Sequence, residues 1–158
     1  MTTRREFLAV GSAGLCVSSV PLISAAQPKA GVSARIGILG AGSSGGWAPM
    51  VEALKTGLRE RGYVEGKNLV IEYRWAEGKY ERLPDLVAEL IASKVDVIVT
   101  HARAGIRAAK QATTTIPIVM ASIGDPVAAG LIDNLSRPGR NVTGLSFFGR
   151  EIAAKRLE

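Results

Sequence analysis

The sequence has very few of the side chains on which catalytic and metal sites usually depend. Among its 158 residues it has one cysteine, Cys16, and one histidine, His101. A single cysteine forms no disulfide within a chain, and a lone histidine without thiolate partners is a poor basis for a zinc site. We therefore expect no structural disulfide, no bound metal and no cofactor.

Aromatic residues are also scarce, at 5% of the chain, whereas 47% of the residues are hydrophobic and 22% are charged. This composition is typical of a globular domain, and the length suffices for one domain with a core. The net charge is +6, but the basic residues are scattered and no aromatic residues alternate with them. The sequence therefore predicts no nucleic-acid partner.

The N-terminal segment differs from the rest of the chain. Arg4 and Arg5 precede a short, weakly apolar run that is rich in small residues and ends near Ala26. A charged start, an apolar middle and a small-residue end are typical of an export signal, and paired arginines indicate the twin-arginine type. We predict a signal peptide over 1–26, removal of Cys16 with it, and a periplasmic protein. The alternative is an N-terminus without a targeting role.

From residue 34 onwards, predicted strands and helices alternate. Short apolar runs rich in β-branched residues predict strands over 34–39, 68–75, 95–100, 116–121 and 141–146. The spacing of apolar residues and helix-capping signals predict helices beginning near Trp47, Leu83 and Arg103, and over 125–135 and 150–158. Alternation of this kind, with mostly continuous apolar strands, indicates an α/β fold with an open, doubly wound parallel sheet.

Ligands of such sheets bind beyond the C-terminal ends of the strands. The loop over 40–46 lies at that edge and contains a literal G-x-G-x-x-G, the pattern of dinucleotide-binding loops. The pattern also needs an acidic residue about 20 positions further on, at the end of the second strand. Glu77 follows that strand 32 positions after Gly45, and a helix beginning only near Trp47 leaves Gly45 in the loop. Both features disfavour an NAD site.

Five segments are together specific for one family. They are GYVEG (62–66), IEYRWAEG (71–78), IPIVM (116–120), GDPV (124–127) and RPGRNVTGLS (137–146). With these motifs, the chain from about Arg35 onwards resembles the ABC transporter substrate-binding proteins typified by tryptophan- and tyrosine-binding members. The resemblance implies one lobe of a type I periplasmic-binding-protein fold. It also implies a protein that captures a small solute, such as an amino acid, between two lobes and delivers it to an ABC permease.

The resemblance also predicts how the chain is divided. We expect the N-terminal lobe over 34–146 and the start of the hinge and second-lobe helix over 147–158, so that the chain is a truncated form carrying half of a cleft. We expect a monomer. We also expect no enzymatic activity, because the sequence has a single histidine and no paired carboxylates at a strand end. An exported nucleotide-dependent oxidoreductase that uses the glycine-rich loop is the alternative function.

Candidate ligand-binding residues lie on three loops at the C-terminal edge of the sheet. They are Gly42, Ser43, Ser44 and Gly45 after the first strand, His101, Ala102 and Arg103 after the third, and Ser122 and Asp125 after the fourth. The glycine loop offers backbone N–H groups and hydroxyls. His101 and Arg103 are expected to form a cationic pair suited to a carboxylate, and Asp125 suits an ammonium group.

Each candidate also has a purely structural interpretation. The glycine loop is then a flexible turn, the segment 101–103 a solvated loop, and Asp125 the N-cap of the following helix. Trp47 could stack on a solute, but it fits the apolar stripe of its helix, so core packing is favoured. Asn141 is predicted to belong to the hinge turn, before the last strand.

Overall fold

The computed structural model describes residues 33–135, 138 and 141–146. The described elements are β1 (Ala34–Gly40), α1 (Ser44–Glu60), β2 (Leu69–Trp75), a short 3-10 helix (Tyr80–Arg82), α2 (Leu83–Ala92), β3 (Val97–His101), α3 (Ala102–Ala112), β4 (Ile118–Ile123) and β5 (Val142–Ser146). The predicted signal peptide over 1–26 and the predicted helix over 150–158 lie outside the described residues. None of the helices in the described ranges is long and apolar enough to cross a membrane.

The five strands form one parallel sheet in the order β2-β1-β3-β4-β5. Side chains along β1 point alternately to two cores on opposite faces of this sheet. Ile38 packs with Trp47 of α1 on one face, whereas Leu39 belongs to the core that contains Leu90 of α2 and Ile106 of α3. Helix α1 therefore covers one face, and α2 and α3 cover the other. The predicted α/β fold with a doubly wound parallel sheet is confirmed.

Helix α1 begins at Ser44. The sequence predicted a start near Trp47, three residues later, and that prediction is wrong. Ser43 is its N-cap and has the extended backbone that precedes a helix, with φ −86° and ψ 157°. Gly45 and Gly46 form the first turn, and Pro49 lies inside the helix. The prediction started at the first apolar side chain, and glycines give no such signal.

The helix predicted over 125–135 is wrong, because residues 126–130 form a turn. The Asp125 Oδ1 atom accepts hydrogen bonds from the backbone N–H groups of Val127 and Ala128, each at 2.9 Å. One helical bond follows, from the Ala129 N–H group to the Asp125 carbonyl. Gly130 then adopts a φ of +65°, the left-handed conformation that ends helices. Asp125 therefore accepts the backbone hydrogen bonds that a helix N-cap accepts, but Gly130 ends the helical conformation within about one turn.

Candidate functional site

The C-terminal ends of neighbouring strands meet at one edge of the sheet. Gly40 at the end of β1 pairs with Trp75 at the end of β2. His101 at the end of β3 pairs with Ser122 of β4. The loops that follow these strands therefore lie side by side, as expected for the ligand-binding edge of an open α/β sheet.

Three rings pack together at this edge, and we refer to Trp47, Trp75 and His101 as the ring cluster. The ring centroids of Trp47 and His101 are 3.5 Å apart, with the planes inclined at 55°. The centroids of Trp47 and Trp75 are 6.1 Å apart. Trp75 crosses the end of β1 because position 40 is glycine: a Cβ atom there would lie 2.1 Å from the Trp75 ring. The ring cluster thus depends on a glycine in the neighbouring strand.

His101 differs electrostatically from the sequence-based prediction. Its Nδ1 atom is buried and has no hydrogen-bond partner among the residues that the structure describes. Burial lowers the pKa of His101 to about 4, because the protein interior disfavours the charged imidazolium. The imidazole is therefore neutral near pH 7, where an unperturbed histidine of pKa about 6.5 would still be partly charged. The expected cationic pair of His101 and Arg103 is reduced to a single charge, on Arg103.

An open groove of about 380 Å³ lies at the paired ends of β3 and β4. We refer to it as the β3–β4 groove; its lining residues are His101, Ala102, Arg103, Ser122, Ile123, Gly124, Asp125 and Ala129. All five candidates from the third and fourth strands thus line one groove. They supply a guanidinium, a carboxylate, a hydroxyl and the face of a neutral ring, which is a suitable set for a small zwitterion.

Ala102 holds an uncommon backbone conformation at the floor of this groove. Its φ is +56°, in the left-handed region that side-chain-bearing residues rarely adopt. The residue directly follows β3 and begins α3, where the chain turns sharply from strand to helix. Strained residues of this kind cluster at ligand-binding sites, where they aim neighbouring groups.

The glycine-rich candidates lie beside the β3–β4 groove and do not line it. Ser43, Ser44 and Gly45 are exposed, and a Cβ atom at Gly42 or Gly45 would meet nothing within 4 Å. This loop therefore leaves open space above its backbone, at the N-terminus of α1. The loop leads into α1, and Trp47 of that helix contacts His101, which lines the groove.

Trp47 is 8% exposed and belongs to the core beneath α1, as the favoured interpretation predicted. Sequence reasoning missed its partner Trp75, which was assigned only to a strand. The signal was the strand end: in a parallel sheet, the last residue of β2 lies beside the last residue of β1. Asn141 also has a structural role, since its Nδ2 atom donates to the Ile116 and Thr113 carbonyls at 2.6 and 3.2 Å.

Two objections to a dinucleotide site change when the fold is known. Gly45 lies in the first turn of α1, as the dinucleotide pattern requires, and not in the loop. The backbone N–H of Glu77 donates to the Gly42 carbonyl at 3.3 Å, so the acidic residue after β2 is close to the glycine loop despite its distance in sequence. Neither the position of Gly45 nor that of Glu77 therefore excludes a dinucleotide site in this fold.

An open parallel sheet with a groove beyond its strand ends is the architecture of one lobe of a periplasmic-binding-protein fold, and solved proteins of that kind match this chain. The model of the ABC transporter substrate-binding protein family matches residues 36–158. The chain belongs to this family. The match does not support the oxidoreductase alternative.

Individual relatives agree with this assignment. A tyrosine-binding protein of Clostridioides difficile (strain R20291) is 33% identical over 102 residues, which cover 62% of this chain and 30% of that protein. A solved conserved domain protein of Vibrio cholerae is 33% identical with a TM-score of 0.72, over 79% of this chain and 42% of the other. An ABC domain in complex with L-Trp from Streptococcus pneumonia is 32% identical with a TM-score of 0.66, over 72% and 38% of the two chains. The matched part thus spans less than half of each relative.

Proposed function

We propose that this chain forms the N-terminal lobe of an exported, periplasmic solute-binding component of an ABC importer. It captures an aromatic amino acid and presents it to a membrane permease, without chemical change to the solute. The observation that carries this proposal is the β3–β4 groove, which both Arg103 and Asp125 line, together with His101 of the ring cluster. Family membership and the tyrosine- and tryptophan-binding relatives support it.

The two charges fit the two ends of an amino acid. Arg103 is exposed on the first turn of α3, where its guanidinium and the free backbone N–H groups of the helix suit the solute carboxylate. Asp125 suits the ammonium group, in addition to its capping bonds. The neutral His101 ring, held against Trp47, offers a face on which an aromatic side chain can stack.

The groove is open, so it covers only one side of a solute. Tight binding of a small molecule requires burial of most of its surface. We infer that the opposite wall belongs to a second lobe, since the relatives are more than twice as long as the part that matches this chain. Closure of the two lobes over the solute then produces the form that docks on the permease.

Isothermal titration calorimetry on the complete gene product tests this proposal, with L-tryptophan, L-tyrosine and NAD as separate ligands. We expect an aromatic amino acid to bind and NAD not to bind. Arg103→Gln should weaken amino-acid binding by about tenfold, since one charge-assisted hydrogen bond is lost. Arg107→Gln, one helical turn away and outside the groove lining, is the matched control and should leave the affinity unchanged. Binding of NAD without any response to amino acids would overturn the proposal.

A further inference from the structure

A second groove, of about 360 Å³, lies on the outer surface between the beginning of α2 and α3. We refer to it as the α2–α3 groove; its lining residues are Tyr80, Leu83, Pro84, Arg103, Ala104, Arg107, Ala108 and Gln111. It shares Arg103 with the β3–β4 groove and no other lining residue. The proposed solute site therefore leaves this groove unexplained.

The groove carries positive charge without compensation. Arg103 and Arg107 are one helical turn apart on α3, so both guanidinium groups extend from the same face of the helix. Neither has an ion pair or a hydrogen bond among the residues that the structure describes. Arg35 and Arg74, by contrast, both pair with Glu72. In the part of the chain that the structure describes, no carboxylate lines the α2–α3 groove.

The floor of the groove is apolar. Leu83 is 2% exposed and Ala108 is 7% exposed, so both belong to the core, and the apolar surface open to a partner is that of the exposed Tyr80 and Pro84. Tyr80 forms one wall and is 59% exposed, an unusually large exposure for an aromatic side chain. The surface thus combines apolar lining residues with an exposed tyrosine and two arginines. Tyrosine and arginine are enriched where proteins bind one another.

We propose that the α2–α3 groove is a docking site for an acidic segment of a protein partner. Carboxylates of the segment pair with Arg103 and Arg107, and an apolar side chain between them packs on Tyr80 and Pro84. Charge complementarity determines the acidic character of the occupant. The groove is open along its length, which suits an extended segment better than a small molecule that requires enclosure.

This inference does not rest on the proposed solute site. Substitution of Arg107 tests the docking site independently of the solute site. Arg107 lines only the α2–α3 groove, whereas Arg103 lines both grooves. A substitution at Arg107 therefore changes docking without touching the solute-binding residues. Since the Arg107 side chain is exposed and makes no hydrogen bond or ion pair with the described residues, its replacement should preserve the fold.

The experiment uses the full chain and an acetylated, amidated synthetic peptide, Glu-Glu-Leu-Glu. Calorimetry measures its affinity, and amide NMR shifts locate the bound peptide. We expect shifts at the beginning of α2 and on α3, and weaker binding at higher salt. Arg107→Glu should lower the affinity by about tenfold or more, because an attraction becomes a repulsion. Arg59→Glu is the matched control, since Arg59 is an exposed arginine on α1, at the other face of the sheet. This substitution should leave the affinity for the peptide unchanged.

Three further ligands sharpen the outcome. The basic analogue Lys-Lys-Leu-Lys should not bind, and neither should free glutamate or acetate. Equal binding of the acidic and basic peptides, or retention of affinity in Arg107→Glu, would overturn the proposal. The proposal would also be wrong if the acidic peptide did not bind, or if free glutamate bound as strongly as the peptide. Solute affinity measured on the same Arg107→Glu protein reports separately on the solute site.

Discussion

Gly105 of α3 lies directly against Thr100 of β3, so closely that a Cβ atom at position 105 would stand 2.4 Å from the threonine Oγ1. Thr100 is fully buried, and its hydroxyl donates to the Leu39 carbonyl at 2.9 Å. Gly105→Ala must therefore displace a hydrogen-bonded group that has no room to move. We expect the free energy of unfolding to fall by about 1–3 kcal/mol, as measured by urea denaturation followed by circular dichroism.

Gly57 in α1 provides the matched control for that substitution. It is also helical, but a Cβ atom there would meet nothing within 4 Å. Gly57→Ala should raise the free energy of unfolding by about 0.5–1 kcal/mol, because alanine restricts the unfolded chain and favours the helix. Equal effects of the two substitutions would contradict the close contact at Thr100.

The pKa of His101 predicts a pH dependence of stability. Burial lowers this pKa from 6.5 to about 4, so the unfolded chain binds a proton more readily than the folded chain between these values. The free energy of unfolding should therefore fall as the pH is lowered through this window. We expect the histidine to contribute about 1–2 kcal/mol of this loss, less than the full shift implies, since the ring is only partly buried.

Two measurements isolate that contribution. His101 is the sole histidine in the sequence, so NMR titration of its imidazole protons gives the pKa without overlap. Denaturation of His101→Asn across the same pH range retains the effect of the carboxylates and removes that of the histidine. A titration midpoint near 6.5, or identical pH profiles of the two proteins, would show that the ring is not buried as described.

The backbone at Ala102 offers a stabilising substitution. At a φ of +56°, alanine pays a steric penalty that glycine does not. Ala102→Gly should raise the free energy of unfolding by about 0.5–1 kcal/mol, even though glycine usually destabilises. Ala48→Gly, at an exposed position inside α1, should lower it by a similar amount of about 0.5–1 kcal/mol. Opposite signs in thermal or urea denaturation are the expected result.

Two substitutions distinguish the role of Asp125 as a backbone hydrogen-bond acceptor from its proposed role in binding the solute ammonium group. Asp125→Ala removes the acceptor of two backbone bonds and should lower the free energy of unfolding by about 1 kcal/mol. Asp125→Asn keeps an oxygen that accepts both bonds and should leave stability within about 0.5 kcal/mol. If the carboxylate also binds the solute ammonium, calorimetry should show weaker solute binding in both variants. Full affinity in Asp125→Asn would restrict this residue to its capping role.

Much of the fold was predictable because the strands are short apolar runs and the helices carry regular apolar spacing. All five strands were found, although β3 and β4 begin two residues later than predicted. Errors arose where the deciding feature was not apolar periodicity. The start of α1 is made by glycines, and the turn over 126–130 is ended by the left-handed Gly130 after a valid capping signal.

The sequence predicted which loops form the candidate site, but it did not predict how their side chains pack. The rule for parallel sheets brings His101 and Ser122 to one edge, and the structure pairs them. The sequence could not show that the His101 ring would be buried against Trp47 and lose its charge, since that depends on packing between elements. Nor could it show that Trp75 crosses the end of β1 above Gly40.

The placement of the two tryptophans has a spectroscopic consequence. Trp47 and Trp75 are the only indoles in the sequence, and their centroids lie 6.1 Å apart at the ligand-binding edge of the sheet. All indole emission from these 158 residues therefore originates from one small region, in which Trp47 also contacts an imidazole that gains charge in acid. The core beneath α2 and α3 contributes none of it. Intrinsic fluorescence is thus a local reporter of this edge, and it becomes a measure of global unfolding only where its transition coincides with that of the far-ultraviolet dichroism.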